Sequence, residues 1–322
     1  MSVQEGCIMR IIGFYKKRWI FFSISLFILV VGILAVFING VRLDIQFKGG
    51  ALLKYTYAGE IDDGAAADLI SGMVSRPVTT QVTTDLKTGA KRLVINIAGN
   101  YGLDAKDQLE LDNTLKENFP EAGLNLSESS MVEPFFGQRF LQNGITAIFL
   151  AACFVIIYVW IRFRRIGGLS AGIMALIALL HDVLIVFTTC VIFKIPIGDS
   201  FIAVTLTIIG YSINDTIVIY DRIRENRRAN PKLPVETLTD LSINQSMMRS
   251  INTNIAVFIS VSLIYLLAFA NSIESIQSFA LPMAVGTISG CYSTVCIAGP
   301  LWVMWKKHKE KVVIRTRTRV KT

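Results

Sequence analysis

The chain has 322 residues, 52% hydrophobic and 17% charged, against the roughly one quarter charged in an ordinary soluble domain. That balance excludes a soluble two-domain protein, and near-average Gly and Pro usage without repeats or low-complexity tracts excludes disordered, collagen-like and solenoid classes. The net charge of +8 is unevenly placed: residues 306–322 hold eight Lys/Arg and one Glu, whereas residues 39–142 hold ten Lys/Arg against fourteen Asp/Glu, a net −4.

Residues 1–19 form a basic N-terminus ending in Lys16, Lys17 and Arg18. The apolar run at 20–38 is longer than the roughly 7 to 15 residues of a signal-peptide core, and no small-x-small site follows before Asn39. It is expected to be a retained membrane anchor. The region 39–142 has the size of a compact domain. Its alternating apolar residues predict strands around 45–57, 78–84, 92–97 and 124–132, with Lys87-Thr88-Gly89 as a hairpin turn. Helices are predicted at 62–73 and, from an Asp104 cap, to Asn118, with apolar Leu109, Leu111 and Leu115 and a stop at Pro120. The order β-α-β-β-α-β suggests a small α+β ferredoxin-like domain.

Five more runs, at 145–161, 169–193, 201–220, 251–270 and 281–305, are long enough to cross the hydrocarbon core. The expected fold is therefore an α-helical membrane protein with six transmembrane helices, a bundle at 143–305 and a basic tail at 306–322. Lys and Arg cluster in the N-terminal segment, at Arg162, Arg164 and Arg165, in the 221–249 loop with six of them, and in the tail, all on one side under alternating topology. The positive-inside rule puts both termini in the cytoplasm and 39–142 outside. A basic end beside apolar spans reads as a surface for anionic membrane lipids, and no nucleic-acid recognition module is present.

Asp215 is the leading functional candidate. A carboxylate near mid-bilayer costs about 2.5 to 3.5 kcal/mol on insertion scales, so such a residue faces a bundle interior and usually has a task. Thr207, Tyr211, Asn214, Asp215 and Arg222 follow helical spacings and are expected to form one inward polar face. The plainer alternative is that Asp215 only hydrogen-bonds a neighbouring helix. Arg249 opens the fifth span at similar depth, with Asn252, Thr253 and Ser260 extending its face, so an Asp215–Arg249 ion pair is a geometric option. A carboxylate that alternates between pairing with Arg and taking a proton is a switch. The alternative role for Arg249 is a positive-inside anchor that snorkels to the interface.

His181 and Asp182, mid-span in the third run, are either a proton relay or a structural pair. No other His lies in a span, and the cysteines Cys7, Cys153, Cys190, Cys291 and Cys296 give no zinc spacing or disulfide framework, so neither metal nor cofactor is expected. Gly286 and Gly290 form a G-x-x-x-G pattern whose default meaning is close helix packing. Lys48-Gly49-Gly50 lacks nucleotide-loop spacing, there is no Walker motif, and no nucleophile has an adjacent base, so no catalytic residue is expected.

Residues 210–226, reading GYSINDTIVIYDRIREN, and 242–253, reading SINQSMMRSINT, resemble the SecF family of Sec protein-export subunits, within the RND superfamily. His181-Asp182-Val183, Phe47-Lys48-Gly49-Gly50 and the six-span layout with one large first loop also match, so the resemblance covers nearly the whole chain. Gln46, Glu133 and Arg164 depart from the family pattern, which usually has Asp, Gly and Glu there. The resemblance implies an RND-like half-bundle in the bacterial cytoplasmic membrane, working with SecD beside the SecY channel. Such a subunit uses the proton-motive force to pull unfolded exported polypeptides outward, with Asp215 and Arg249 conducting protons. The alternative is a half-size RND-type proton-coupled exporter of small molecules, although such exporters normally carry a second six-span unit and larger outer domains.

Overall fold

The computed structural model describes residues 12–44, 47, 50–59, 61–76, 78–84, 91–98, 103–132, 134–271 and 273–319. Cys7, Gln46, Lys48, Gly49, the Lys87-Thr88-Gly89 turn and Glu133 lie outside them.

Between the first two long helices sits a sheet covered by two helices: β1 (Gly50–Tyr57), α2 (Asp63–Val74), β2 (Val78–Thr84), β3 (Lys91–Ala98), α3 (Ala105–Asn118) and β4 (Asn125–Val132). The strand order β2-β3-β1-β4, with every neighbour antiparallel, is the ferredoxin-like arrangement. Alternation along β1 turns Ala51, Leu53, Tyr55 and Tyr57 inward. Leu53 pairs with Ile95 and Tyr55 with Leu93 across the β1–β3 ladder, and all four are fully buried. Asp62 starts α2 by accepting from the backbone N–H of Gly64 (2.9 Å) and Ala65 (3.2 Å). Asp104 occupies the same position before α3 without a side-chain cap bond. Of the three leucines expected on α3, Leu111 and Leu115, one turn apart, enter the core, whereas Leu109 is exposed. Burial, with the Asp112 carboxylate beside it, holds the Tyr55 hydroxyl well above the usual phenol range.

The remaining elements are α1 (Arg18–Asn39), α4 (Pro134–Arg162), α5 (Gly168–Ile192), α6 (Asp199–Ala229), α7 (Val235–Ala270), α8 (Glu274–Ser293), a π-helical turn (Thr294–Ala298) and α9 (Gly299–Arg319). Among the described residues, six helical stretches are long and apolar enough to cross a membrane, the sixth running from α8 through the π turn into α9. Several outlast the apolar runs. In particular, α6 continues to Ala229 and α7 begins at Val235, so the pair extends beyond the apolar zone as a polar hairpin. Helices α5, α6 and α8–α9 form the buried centre, while α1, α4 and α7 leave most of their apolar surface open.

Small residues set how closely the helices approach. Gly32 of α1 faces Thr188 of α5, with no room for a methyl group. A Cβ on Gly286 would stand 2.8 Å from Ile208 of α6 and 2.9 Å from Val186 of α5, and one on Gly290 would stand 3.2 Å from Ser212. The G-x-x-x-G pattern thus seats α8 against α5 and α6. Gly286→Val is expected to wedge these helices apart and to cost about 1 to 3 kcal/mol, the range for overpacking a tight contact. A lower unfolding midpoint of the detergent-purified protein checks this, and an unchanged midpoint would mean the interface has slack.

Candidate functional site

Asp215, on α6, is 4% exposed. Its partner is Asn254 on α7, whose Nδ2 donates to Asp215 Oδ2 at 2.6 Å and to the Ser250 carbonyl at 2.7 Å. Asn254 Oδ1 and Tyr211 Oη are buried side-chain atoms with no hydrogen-bond partner among the described residues, and the Ser250 hydroxyl is close enough to act on Asp215. A buried polar group left unpaired costs about 1 to 3 kcal/mol, so these atoms are available to water, a proton or a further polar group.

The inward polar face expected on α6 divides. Asp215 and Ser212 are buried, whereas Thr207 and Asn214 are exposed and Tyr211 and Arg222 are half-buried. The reason is angular: consecutive helical residues diverge by about 100°, so Asn214 looks outward where Asp215 looks inward. Arg249 is exposed, as are Asn252, Thr253 and Ser260 on its face. Among the described residues it makes no ion pair within 4.0 Å, so the direct Asp215–Arg249 pair is not formed, although the guanidinium is near enough to act on the carboxylate electrostatically. Two helical turns of α7 present Arg249 to the surface and Asn254 to α6.

His181 and Asp182 belong to a second cluster. Asp182 is fully buried and accepts hydroxyl bonds from Ser289 (2.6 Å), Ser293 (2.7 Å) and Ser212 (2.8 Å), with His181 Nδ1 at 3.3 Å. One carboxyl group on α5 therefore ties α6 and α8 together through three hydroxyl hydrogen bonds. The π turn begins directly after Ser293, and Thr294 Oγ1 meets Thr216 Oγ1 of α6 at 3.1 Å. Adding a residue to the turn lets Ser293 and Thr294 both face inward, where a regular helix would splay them. His181 Nε2 has no partner among the described residues.

Sequence reasoning passed over Asn254, Ser250 and the three serines. Small polar residues are common in membrane helices, so only the i, i+4 spacing of Ser289 and Ser293 was a usable signal. No group of three or more His, Cys, Asp or Glu suited to a metal occurs among the described residues.

Residues 112–308 match the model of the family described as "Protein export membrane protein SecD/SecF, C-terminal". The chain is 31% identical over 309 residues to the protein translocase subunit SecF of Petrotoga mobilis, covering 93% of this chain and 98% of that one. With SecF of Alicyclobacillus acidocaldarius the identity is 32% over 302 residues, covering 93% and 94%. The protein translocase subunit SecDF of Bacillus subtilis is 31% identical, covering 92% of this chain but 38% of the longer one. Among solved structures, SecDF from Thermus thermophilus, titled a translocon-associated membrane protein, superposes with a TM-score of 0.77 at 25% identity, covering 95% of this chain and 40% of that chain.

Proposed function

This multi-pass membrane protein belongs to the SecD/SecF protein-export family, and from that premise we propose that it is the SecF-type half of a proton-driven export device completed by SecD. The relatives named SecDF, in which the matched segment fills 37% and 38% of a longer chain, support a companion half. So does the surface: the Asn214 amide and the Arg249 guanidinium are exposed on spans where lipid alone would leave them unsatisfied.

The observation that carries the reading is Asp215, buried among unpaired polar atoms at the margin of that surface. A proton crossing 100 mV releases about 2.3 kcal/mol, enough to bias a two-state motion about 50-fold. Taking up the proton discharges Asp215, weakens its bond to Asn254 and relaxes its attraction to Arg249, so α6 and α7 are the elements that would shift. The outer domain, joined to α1 and α4, would convert that shift into outward movement of an exported polypeptide emerging from a SecY-type channel. The shared hydroxyl bonds of Asp182 support an architectural role for it, with His181, rather than a relay.

Orientation follows from charge, with both termini cytoplasmic in the bacterial inner membrane. In a cysteine-free background, cysteine at Asn113 is expected to react from outside with an impermeant thiol reagent, and cysteine at Asn230 or Thr318 is not. Reversed labelling would overturn this topology. The function itself is tested by export of a reporter protein in cells with intact and collapsed proton gradients: loss of the gradient-dependent component when this chain is removed supports it.

A further inference from the structure

At the basic end of the bundle, where α4 stops and α5 begins, a surface cleft of about 340 Å³ runs between the α4–α5 turn and the start of the tail on α9. Arg164, Lys306 and Lys309 line it, together with Trp160 and Trp305. No Asp or Glu is among its lining residues, and none of the three cations is in an ion pair among the described residues. Two of the cations rest on aromatic rings: the Arg164 guanidinium lies 5.7 Å from the ring centre of Trp160, which lines the cleft, and Lys306 Nζ lies 5.6 Å from that of the buried Trp302 behind it. The turn is shaped to admit them. Gly167 has a φ of +94°, and a Cβ there would stand 2.7 Å from Lys306 Nζ. The first-turn residues Gly168, Leu169 and Ser170 of α5 also line the cleft, and Gly167 before them has no side chain to cap their N–H groups.

We propose that this cleft binds the phosphate head group of an anionic phospholipid. Three cations without a carboxylate among the cleft's lining residues favour an anion there, with Glu310 beside the cleft offsetting part of the charge on Lys306, and the surroundings specify a lipid rather than a free ion. Trp160 (44% exposed) and Trp305 (48% exposed) stand where membrane proteins carry their interfacial aromatic belt, and Leu169 and Ile173 offer exposed apolar surface for the acyl chains. A bound head group would bridge the α4–α5 turn to α9, elements that otherwise meet here through like charges.

The test is native mass spectrometry of the full chain, co-expressed and purified with SecD in detergent, titrated with phosphatidylglycerol or phosphatidylcholine. The variant Arg164→Gln/Lys306→Gln/Lys309→Gln is compared with a charge-keeping variant, Arg164→Lys/Lys306→Arg/Lys309→Arg, and with Lys16→Gln/Lys17→Gln/Lys232→Gln, which loses the same charge elsewhere. The expected result is a loss of phosphatidylglycerol affinity of at least about tenfold in the first variant and under about threefold in the other two, from the attraction each basic residue contributes. Phosphatidylcholine should bind weakly throughout. Equal losses in the cleft and remote variants would mean diffuse surface charge and overturn the proposal. So would equal affinity for the two lipids, or displacement of phosphatidylglycerol by millimolar inorganic phosphate, which would identify a free-anion site.

Discussion

Asp215→Asn is expected to leave the protein folded and assembled while gradient-dependent export falls to the level of a deletion. Asn has the same size, and its carbonyl oxygen can still accept the 2.6 Å bond from Asn254, so packing between α6 and α7 survives. What it lacks is a second charge state, and a proton-driven motion requires one. Arg249→Gln should give a similar loss through a different route, since the carboxylate would lose the cation that acts on it across the helix pair. Asn254→Leu should be intermediate in export, because it removes a donor but not the charge. Asp182 provides the contrast. Asp182→Asn retains an acceptor for the serine hydroxyls and should cost less than Asp215→Asn, whereas Asp182→Leu strands three buried donors at about 1 to 3 kcal/mol each and should lower the amount of protein. Reporter export with subunit levels followed by blot separates the two classes. Normal export by Asp215→Asn under an intact gradient would make Asp215 a packing residue and remove the main support for proton coupling.

The second large effect concerns the companion half. Expressed without SecD, the chain is expected to be degraded or to aggregate, because the exposed Asn214 amide and Arg249 guanidinium would face lipid unsatisfied. Cysteines at Thr207 and Asn214, in a background lacking the native thiols, should cross-link to SecD in membranes. A cysteine at Phe154, on an apolar and exposed part of α4, should not. A purified chain that is stable, monomeric and able to restore export in cells lacking SecD would sink the two-half model.

Much of the architecture follows from local pattern. Uninterrupted apolar runs mark the spans because the bilayer selects for length and hydropathy residue by residue. Period-two alternation marks Ala51, Leu53, Tyr55 and Tyr57 because a strand has two faces and only one is buried. Leu109 shows the limit: apolar character alone placed it with Leu111 and Leu115, but helical spacing puts only the latter two on the core side.

The burial of Asp215 was legible in the sequence because a lone carboxylate in an apolar span is costly wherever the helices go, which is what makes it the candidate site residue. Its partner was not identifiable in the same way. Whether α7 turns Arg249 or Asn254 toward α6 depends on the rotation of one helix about its axis, and in a membrane apolar surfaces on every side leave that rotation undetermined until close contacts, such as that of Gly299 with Ile243 and Thr239 of α7, fix it. The serines around Asp182 come from two other helices, and the π turn that aligns Ser293 with Thr294 leaves no compositional mark. The sequence by itself thus determined the spans, the element order of the domain between the first two of them, the basic end and Asp215 as the candidate acidic residue. The packing of the helices decided which groups that residue and Asp182 meet, because hydrogen bonds between segments far apart in the chain are set by helix rotation and close approach, which no local periodicity encodes.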